Sequence, residues 1–210
     1  MNRGKDAEMM KMAALVFPGF QTLDYFGPVE MLGGFRDDIR TITVAKTSDP
    51  VESRHRQRIV VDKTIAEGSD YDLLFIPGGD SALEAAKDPD LMDWVRETSA
   101  RADRVMGVCT GTVLLGIAGV LDGRKATTNK LDFTATVPLA PKVDWIKQAR
   151  WVRDGKFYTS SGVSAGMDMA LAVASDLFGL EKARQMAEEN EYIWNDDANW
   201  DPFAAKAGLV

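Results

Sequence analysis

One cysteine occurs among the 210 residues, Cys109, and its neighbours say what it could do. Gly107-Val108-Cys109-Thr110-Gly111 follows the apolar pair Val105-Met106 and runs straight into Val113-Leu114-Leu115. Strand, sharp turn and helix in immediate succession, with a glycine two residues to each side, form the cysteine version of a nucleophile elbow. The first turn of the helix brings unpaired N–H groups and the positive dipole end to the sulfur, which favours thiolate over thiol. Without that context a lone cysteine in small apolar surroundings is a buried small hydrophobe. Thr110, directly after the nucleophile, is the candidate for a supporting role, and Thr112 reads as a helix N-terminal residue.

A nucleophilic cysteine usually borrows a histidine as its base. The only histidine is His55, inside the polar stretch Pro50–Arg58, where it reads as a solvated loop residue remote from the elbow. A Cys-His-Asp triad is therefore poorly supported. A carboxyl group close to a thiolate has a raised proton affinity, so it can hold a proton and deliver it. Asp24, after the first apolar run, is the candidate for that acid, with helix capping as its structural alternative. Pro77-Gly78-Gly79 closes another apolar run. The pair Gly78 and Gly79 is either plain turn chemistry or, if it faces Cys109, a source of backbone N–H groups for a developing negative charge.

These groups need a scaffold that brings several strand ends together. Met12–Phe17, Ile39–Ala45, Asp72–Ile76 and Arg104–Val108 are short apolar runs bounded by turn residues, as expected for parallel strands buried on both faces. Ile59-Val60-Val61 reads as a further short strand. Gly27-Pro28 predicts the start of the first helix, with Asp24 on the loop before it. Asp88-Pro89-Asp90 is an N-cap with a first-turn proline, followed by Leu91, Trp94 and Val95 at helical spacing. Arg124–Asn129 reads as a short extended segment, Asp132 onward as a helix, and Val143–Ile146 as a strand. Asp154-Gly155 predicts a tight turn between Arg150–Val152 and Phe157–Thr159. Ser160-Ser161-Gly162 then opens a helix carrying Val163, Met167, Ala170, Leu171, Ala174 and Phe178 and capped by Gly179. Another helix is expected at Glu181–Glu189. The acidic and aromatic stretch Trp194–Phe203 lacks histidine and metal-ligand spacing, and is expected to pack on the domain or across a subunit contact. The expectation is an α/β fold with residues 1–10 as a flexible tail and 11–210 as one domain.

The chain carries a net charge of −7 and no block of lysine and arginine, which argues against nucleic acid or an anionic membrane as partner. No apolar run approaches the ~18–20 residues of a membrane span. A single cysteine allows no intrachain disulfide, and a free thiol fits a reducing cytoplasm. The sequence suggests no metal and no cofactor, and a small molecule is the expected partner.

Taken in order, Pro18-Gly19 with Leu23-Asp24 and Gly27-Pro28-Val29-Glu30, Ile76-Pro77-Gly78-Gly79, Gly107-Val108-Cys109-Thr110-Gly111, Ala126-Thr127-Thr128 and Ser161-Gly162-Val163-Ser164-Ala165-Gly166 resemble the ThiJ/PfpI superfamily. The resemblance spans about residues 11–203. It implies a flavodoxin-like three-layer sandwich with a mainly parallel sheet, the cysteine at a nucleophile elbow, and a homodimer. PfpI-type proteases carry histidine directly after the cysteine, where this chain has Thr110. Glyoxalase and deglycase types carry glutamate on the first loop, where this chain has Asp24. Aspartate there, with Cys-Thr-Gly at the elbow, is similar to the isonitrile (isocyanide) hydratase branch. That likeness implies cofactor-independent hydration of an isocyanide to an N-substituted formamide. Cys109 would be the nucleophile, Asp24 the general acid and base, Thr110 the group orienting the acid or the water, and the backbone near Gly78, Gly79 and Thr110 the anion binder. In many relatives histidine and tryptophan follow Ala-Thr-Thr; here Asn129 and Lys130 do. Two other readings stay open: glyoxalase-like addition to a small reactive carbonyl, and a non-catalytic redox sensor whose cysteine oxidises to sulfinate. A direct transcription factor is not expected, since little chain follows Phe203.

Overall fold

A computed structural model describes residues 9–210; the expected N-terminal tail lies, for residues 1–8, outside the described residues. The chain order is β1 (Met10–Leu15), α1 (Thr22–Gly33), β2 (Ile39–Ala45), β3 (Val51–Glu52), β4 (Arg58–Ile59), β5 (Lys63–Thr64) and β6 (Leu73–Ile76). There follow α2 (Ala82–Ala85), α3 (Pro89–Arg101), β7 (Arg104–Val108), α4 (Thr110–Ile117), β8 (Lys125–Ala126) and α5 (Phe133–Thr136). The last part is β9 (Asp144–Trp145), β10 (Trp151–Asp154), β11 (Phe157–Ser160), α6 (Ala165–Phe178), α7 (Leu180–Glu189) and α8 (Pro202–Lys206).

The main sheet has seven strands in the order β10-β11-β7-β6-β1-β2-β5. All its pairings are parallel except β10 with β11. The continuous apolar runs follow from this. Met12–Leu15, Leu73–Ile76 and Val105-Met106 are fully enclosed, because helices cover both faces of the sheet. From β1 the chain moves to one side, to β2, and later returns to β6 on the other side of β1 before continuing to β7. Right-handed crossovers in opposite directions put α1 and α3 on opposite faces, giving the flavodoxin-like three layers. The same reversal makes the carboxyl ends of β1, β6 and β7 a shared rim, where strand direction leaves a crevice.

Most elements stand where the residues put them, with three instructive differences. The first helix begins at Thr22, not near Gly27-Pro28, so Pro28 lies inside it. A proline in the second turn removes only the bond its N–H would make to the carbonyl four residues earlier, that of Asp24 itself. The Pro50–Arg58 excursion folds back as the small β3–β4 ladder, and Ile59 rather than Val60-Val61 carries the strand. In the hairpin, Asp154 pairs with Phe157, so the two-residue turn is Gly155-Lys156. Asp154 instead accepts from the Lys125 N–H (2.9 Å) and the Arg124 guanidinium (3.1 Å), tying β8 to the hairpin.

The stretch after α7 packs on the domain, as expected. Asp168 on α6 is its anchor, accepting from Arg150 Nε (2.8 Å), Tyr192 Oη (2.8 Å) and Asn195 N–H (3.0 Å). Among the described residues no helix is long and apolar enough to cross a membrane.

Candidate active site

Cys109 is the last residue before α4 and has φ 56° and ψ −132°, a conformation that L side chains rarely adopt. The strain is held because β7 is locked between β6 and β11 on one side of the residue, while α4 starts at once on the other. The turn lifts the side chain off the sheet into a cavity of about 440 Å³ lined by Gln21, Arg54, Leu83, Asn129, Leu131 and Val163 among others. Cys109 itself is 6% exposed.

Asp24 comes to the sulfur from the first turn of α1 and is completely buried. Gly78, at the end of β6, sits between the two: a Cβ there would fall 2.8 Å from Asp24 Oδ2, from Cys109 Cβ and from the Thr110 nitrogen. Glycine is thus required for the acid and the nucleophile to meet. The Gly78 N–H donates to Asp24 Oδ2 (3.0 Å), whereas Oδ1 has no hydrogen-bond partner among the described residues. Burial pushes the carboxyl up from 3.8 to about 7, against the lowering effect of the Gly78 and Cys109 hydrogen bonds. Burial likewise pushes the Cys109 thiol up to about 12, with the Asp24 charge adding to it. Each group resists ionisation while the other is charged, so above pH 7 the pair keeps one proton between them. Donors are unequally shared. The sulfur faces Asn129 Nδ2 (3.2 Å) and the backbone N–H groups of Thr110 and Val163, while the carboxyl has the Gly78 N–H and the thiol itself. The carboxyl loses its proton first, near 7, and the thiol holds the second; the donors on sulfur lower the cost of exchanging charge and proton between the two.

Thr110 and the diglycine turn differ from expectation. The Thr110 hydroxyl accepts from the Gly79 N–H (2.9 Å) and donates to the Gly79 carbonyl (3.0 Å), so it grips the turn instead of the acid. Both turn N–H groups are therefore engaged, Gly78 with Asp24 and Gly79 with Thr110, and neither is free for an anion. Gly79 also needs its lack of a side chain: at φ 145°, a Cβ would lie 2.7 Å from the Gly19 carbonyl oxygen. The turn builds the site, while Thr110 and Val163 supply the N–H groups. His55 is exposed on the β3–β4 excursion, its Nδ1 3.0 Å from Thr22 Oγ1, and is not among the residues lining the cavity. Arg54 beside it does reach the rim, paired with Asp80 at 3.1 Å; nothing in its polar surroundings distinguished it. Asn129 was visible only as a departure from the usual pattern of relatives.

The sequence profile of the DJ-1/PfpI family matches residues 10–176, which hold the elbow, Asp24 and the start of α6. The chain belongs to the DJ-1/PfpI family. An isonitrile hydratase of Pseudomonas putida is 33% identical over 185 residues, 87% of this chain and 78% of that protein. The HTH-type transcriptional regulator CdhR of Pseudomonas aeruginosa is 29% identical over 83% of this chain and 53% of its own length. Among solved structures, a ThiJ/PfpI family protein from Pseudomonas syringae superposes with a TM-score of 0.81 at 31% identity, covering 100% of this chain and 89% of that one. The family thus contains both enzymes and regulators. Among the described residues no group of three or more His, Cys, Asp or Glu side chains could hold a metal ion.

Proposed function

We propose that this protein hydrates an organic isocyanide to the corresponding N-substituted formamide. The observation that carries the reading is a histidine-free pair: Cys109 lines a partly open cavity, and the buried Asp24 carboxyl, hydrogen-bonded to the thiol, has a raised proton affinity. An isocyanide carbon accepts both a nucleophile and a proton, which is what the pair offers. The Cys109 thiolate attacks the terminal carbon, Asp24 gives that carbon its proton, and a thioimidate forms. Asp24, now a carboxylate, takes a proton from water as the oxygen adds, and passes it to nitrogen. The tetrahedral adduct then collapses: the hydroxyl proton returns to Asp24, the C–S electron pair returns to sulfur, and the formamide leaves. Proton transfer by a positioned side chain contributes about 10²–10⁴-fold. The 33% identity with an isonitrile hydratase supports the same choice.

The site works in a homodimer in this reading. Leu23 and Phe26 flank Asp24 in sequence on α1 yet are 40% and 42% exposed, an apolar surface suited to a second copy. Light scattering should give twice the monomer mass. The cytoplasm, where the sole thiol stays reduced, is the proposed compartment.

Side-by-side assays with an aromatic isocyanide and with methylglyoxal test the activity. Formamide production that depends on Cys109 and Asp24 is expected. Consumption of methylglyoxal with no formamide formed would transfer the site to the carbonyl reading.

A further inference from the structure

Asn129 lies on the loop after β8, and its Nδ2 is 3.2 Å from Cys109 Sγ. Its amide orientation is settled by its other end. Oδ1 accepts from the N–H groups of Leu131 (2.8 Å) and Asp132 (3.2 Å), so a flipped amide would oppose donor to donor there and oxygen to sulfur here. Gly162 leaves it room, since a Cβ at that position would lie 2.8 Å from Nδ2. The loop is pinned on both sides of the amide. Thr128 Oγ1 donates to the Cys109 carbonyl at 2.7 Å. Lys130, 3% exposed, donates from Nζ to Thr127 Oγ1 and to the Thr128 carbonyl (3.3 Å), and stands 3.7 Å from Asp201 Oδ2. The loop's cation is thereby committed to the C-terminal segment, and its amide to the sulfur.

We propose that Asn129 is a catalytic residue, the fixed donor that takes up negative charge on the Cys109 sulfur when the thiol ionises and when the carbon–sulfur bond breaks. The bond-breaking half rests on the isocyanide reading; the effect on the resting thiol does not. As the tetrahedral adduct collapses, the C–S pair passes to sulfur and the hydroxyl proton to Asp24, so a donor aimed at sulfur stabilises the leaving thiolate. An amide does this without titrating, unlike an imidazole. Among the described residues, the titratable group facing the sulfur is Asp24 on α1, while the starts of α4 and α6 present only backbone N–H groups.

The test is the pH dependence of Cys109 alkylation by iodoacetamide in the unmodified protein, Asn129→Ala and Asn129→Asp, with circular dichroism to confirm folding. Asn129→Asp keeps an acceptor for the two loop N–H groups, removes the donor and sets a second carboxyl beside the sulfur. Asn129→Ala is expected to slow alkylation about tenfold below the plateau, an upward shift of about one unit in the thiol's apparent pKa, and Asn129→Asp to shift it further. With an aromatic isocyanide, acid-quenched Asn129→Ala should carry a covalent adduct of the substrate's mass, with kcat lowered. A folded Asn129→Ala protein with an unchanged alkylation profile would overturn the proposal, as would an Asn129→Asp profile at or below that of the unmodified protein. If the unmodified protein turns over no isocyanide, the functional reading fails while the alkylation arm still decides the role of Asn129.

Discussion

Asp24 and Asp168 are both carboxyls with no exposed surface, and the chain treats them in opposite ways. Asp168 has a donor on each oxygen: the Arg150 guanidinium on one, Tyr192 and the Asn195 N–H on the other. Asp24 has a single backbone donor, an unpartnered oxygen, and a thiol instead of a cation beside it. Burial raises the proton affinity of both, but at Asp168 the Arg150 and Tyr192 hydrogen bonds oppose the rise, while at Asp24 it is opposed only by Gly78 and the thiol. A buried carboxyl surrounded by donors is a fastening. One left short of donors next to a nucleophile is poised to carry a proton, at a cost to stability.

Substitutions should separate the two. The largest effect is expected from Cys109→Ala, which should remove isocyanide turnover entirely while the circular dichroism spectrum stays that of the folded chain. Next, Asp24→Asn should lower kcat about 10²–10⁴-fold, the usual contribution of a positioned proton-transfer group. Its effect on stability should run the other way. In the folded chain Asp24 titrates near 7 instead of 3.8, so between those values the folded state holds a proton the unfolded chain has lost. Stability should therefore fall as pH rises from about 4 to about 7 and level off above. Asp24→Asn should flatten that fall, which amounts to up to roughly 4 kcal/mol, in urea titrations at several pH values. An Asp24→Asn protein that is less stable than its parent at pH 8 would make Asp24 a fastening too.

Asp168→Ala should cost about 3–5 kcal/mol in the same titrations, because it strands the buried Arg150 and frees the segment after α7, while the fraction still folded keeps its specific activity. The smallest effect belongs to His55→Ala, within about ±0.5 kcal/mol in stability and with no change in turnover. Loss of activity there would restore a histidine to the chemistry.

The fold was legible because the strands that matter are enclosed on both faces and read as bare apolar runs: β2 appears with its observed ends, β7 likewise. The elbow was legible for the same reason, as its strand, bend and helix are contiguous. Asp24 could be singled out as a residue but not placed on α1, since Gly27-Pro28 imitates a helix start and the cost of one missing bond in the second turn is small. The roles of Gly78, Gly79 and Thr110 depend on which atoms pair across 31 or more positions of chain, and residue type alone could not choose between an anion-binding turn and a turn whose N–H groups are already engaged. Asn129 and Lys130 were visible as unusual residues. Only their geometry shows the amide turned to the sulfur and the cation turned to Asp201.

Asp24 must hold its proton to near neutrality beside Cys109 for the pair to work as proposed. Carbon-13 labelling of the aspartate carboxyls, with the Asp24 resonance assigned by its loss in Asp24→Asn and followed by NMR from pH 4 to 9, measures this directly. A midpoint near 7 is predicted. A midpoint near the ordinary 3.8 would show a permanently ionised acid, unable to deliver a proton, and would contradict the account.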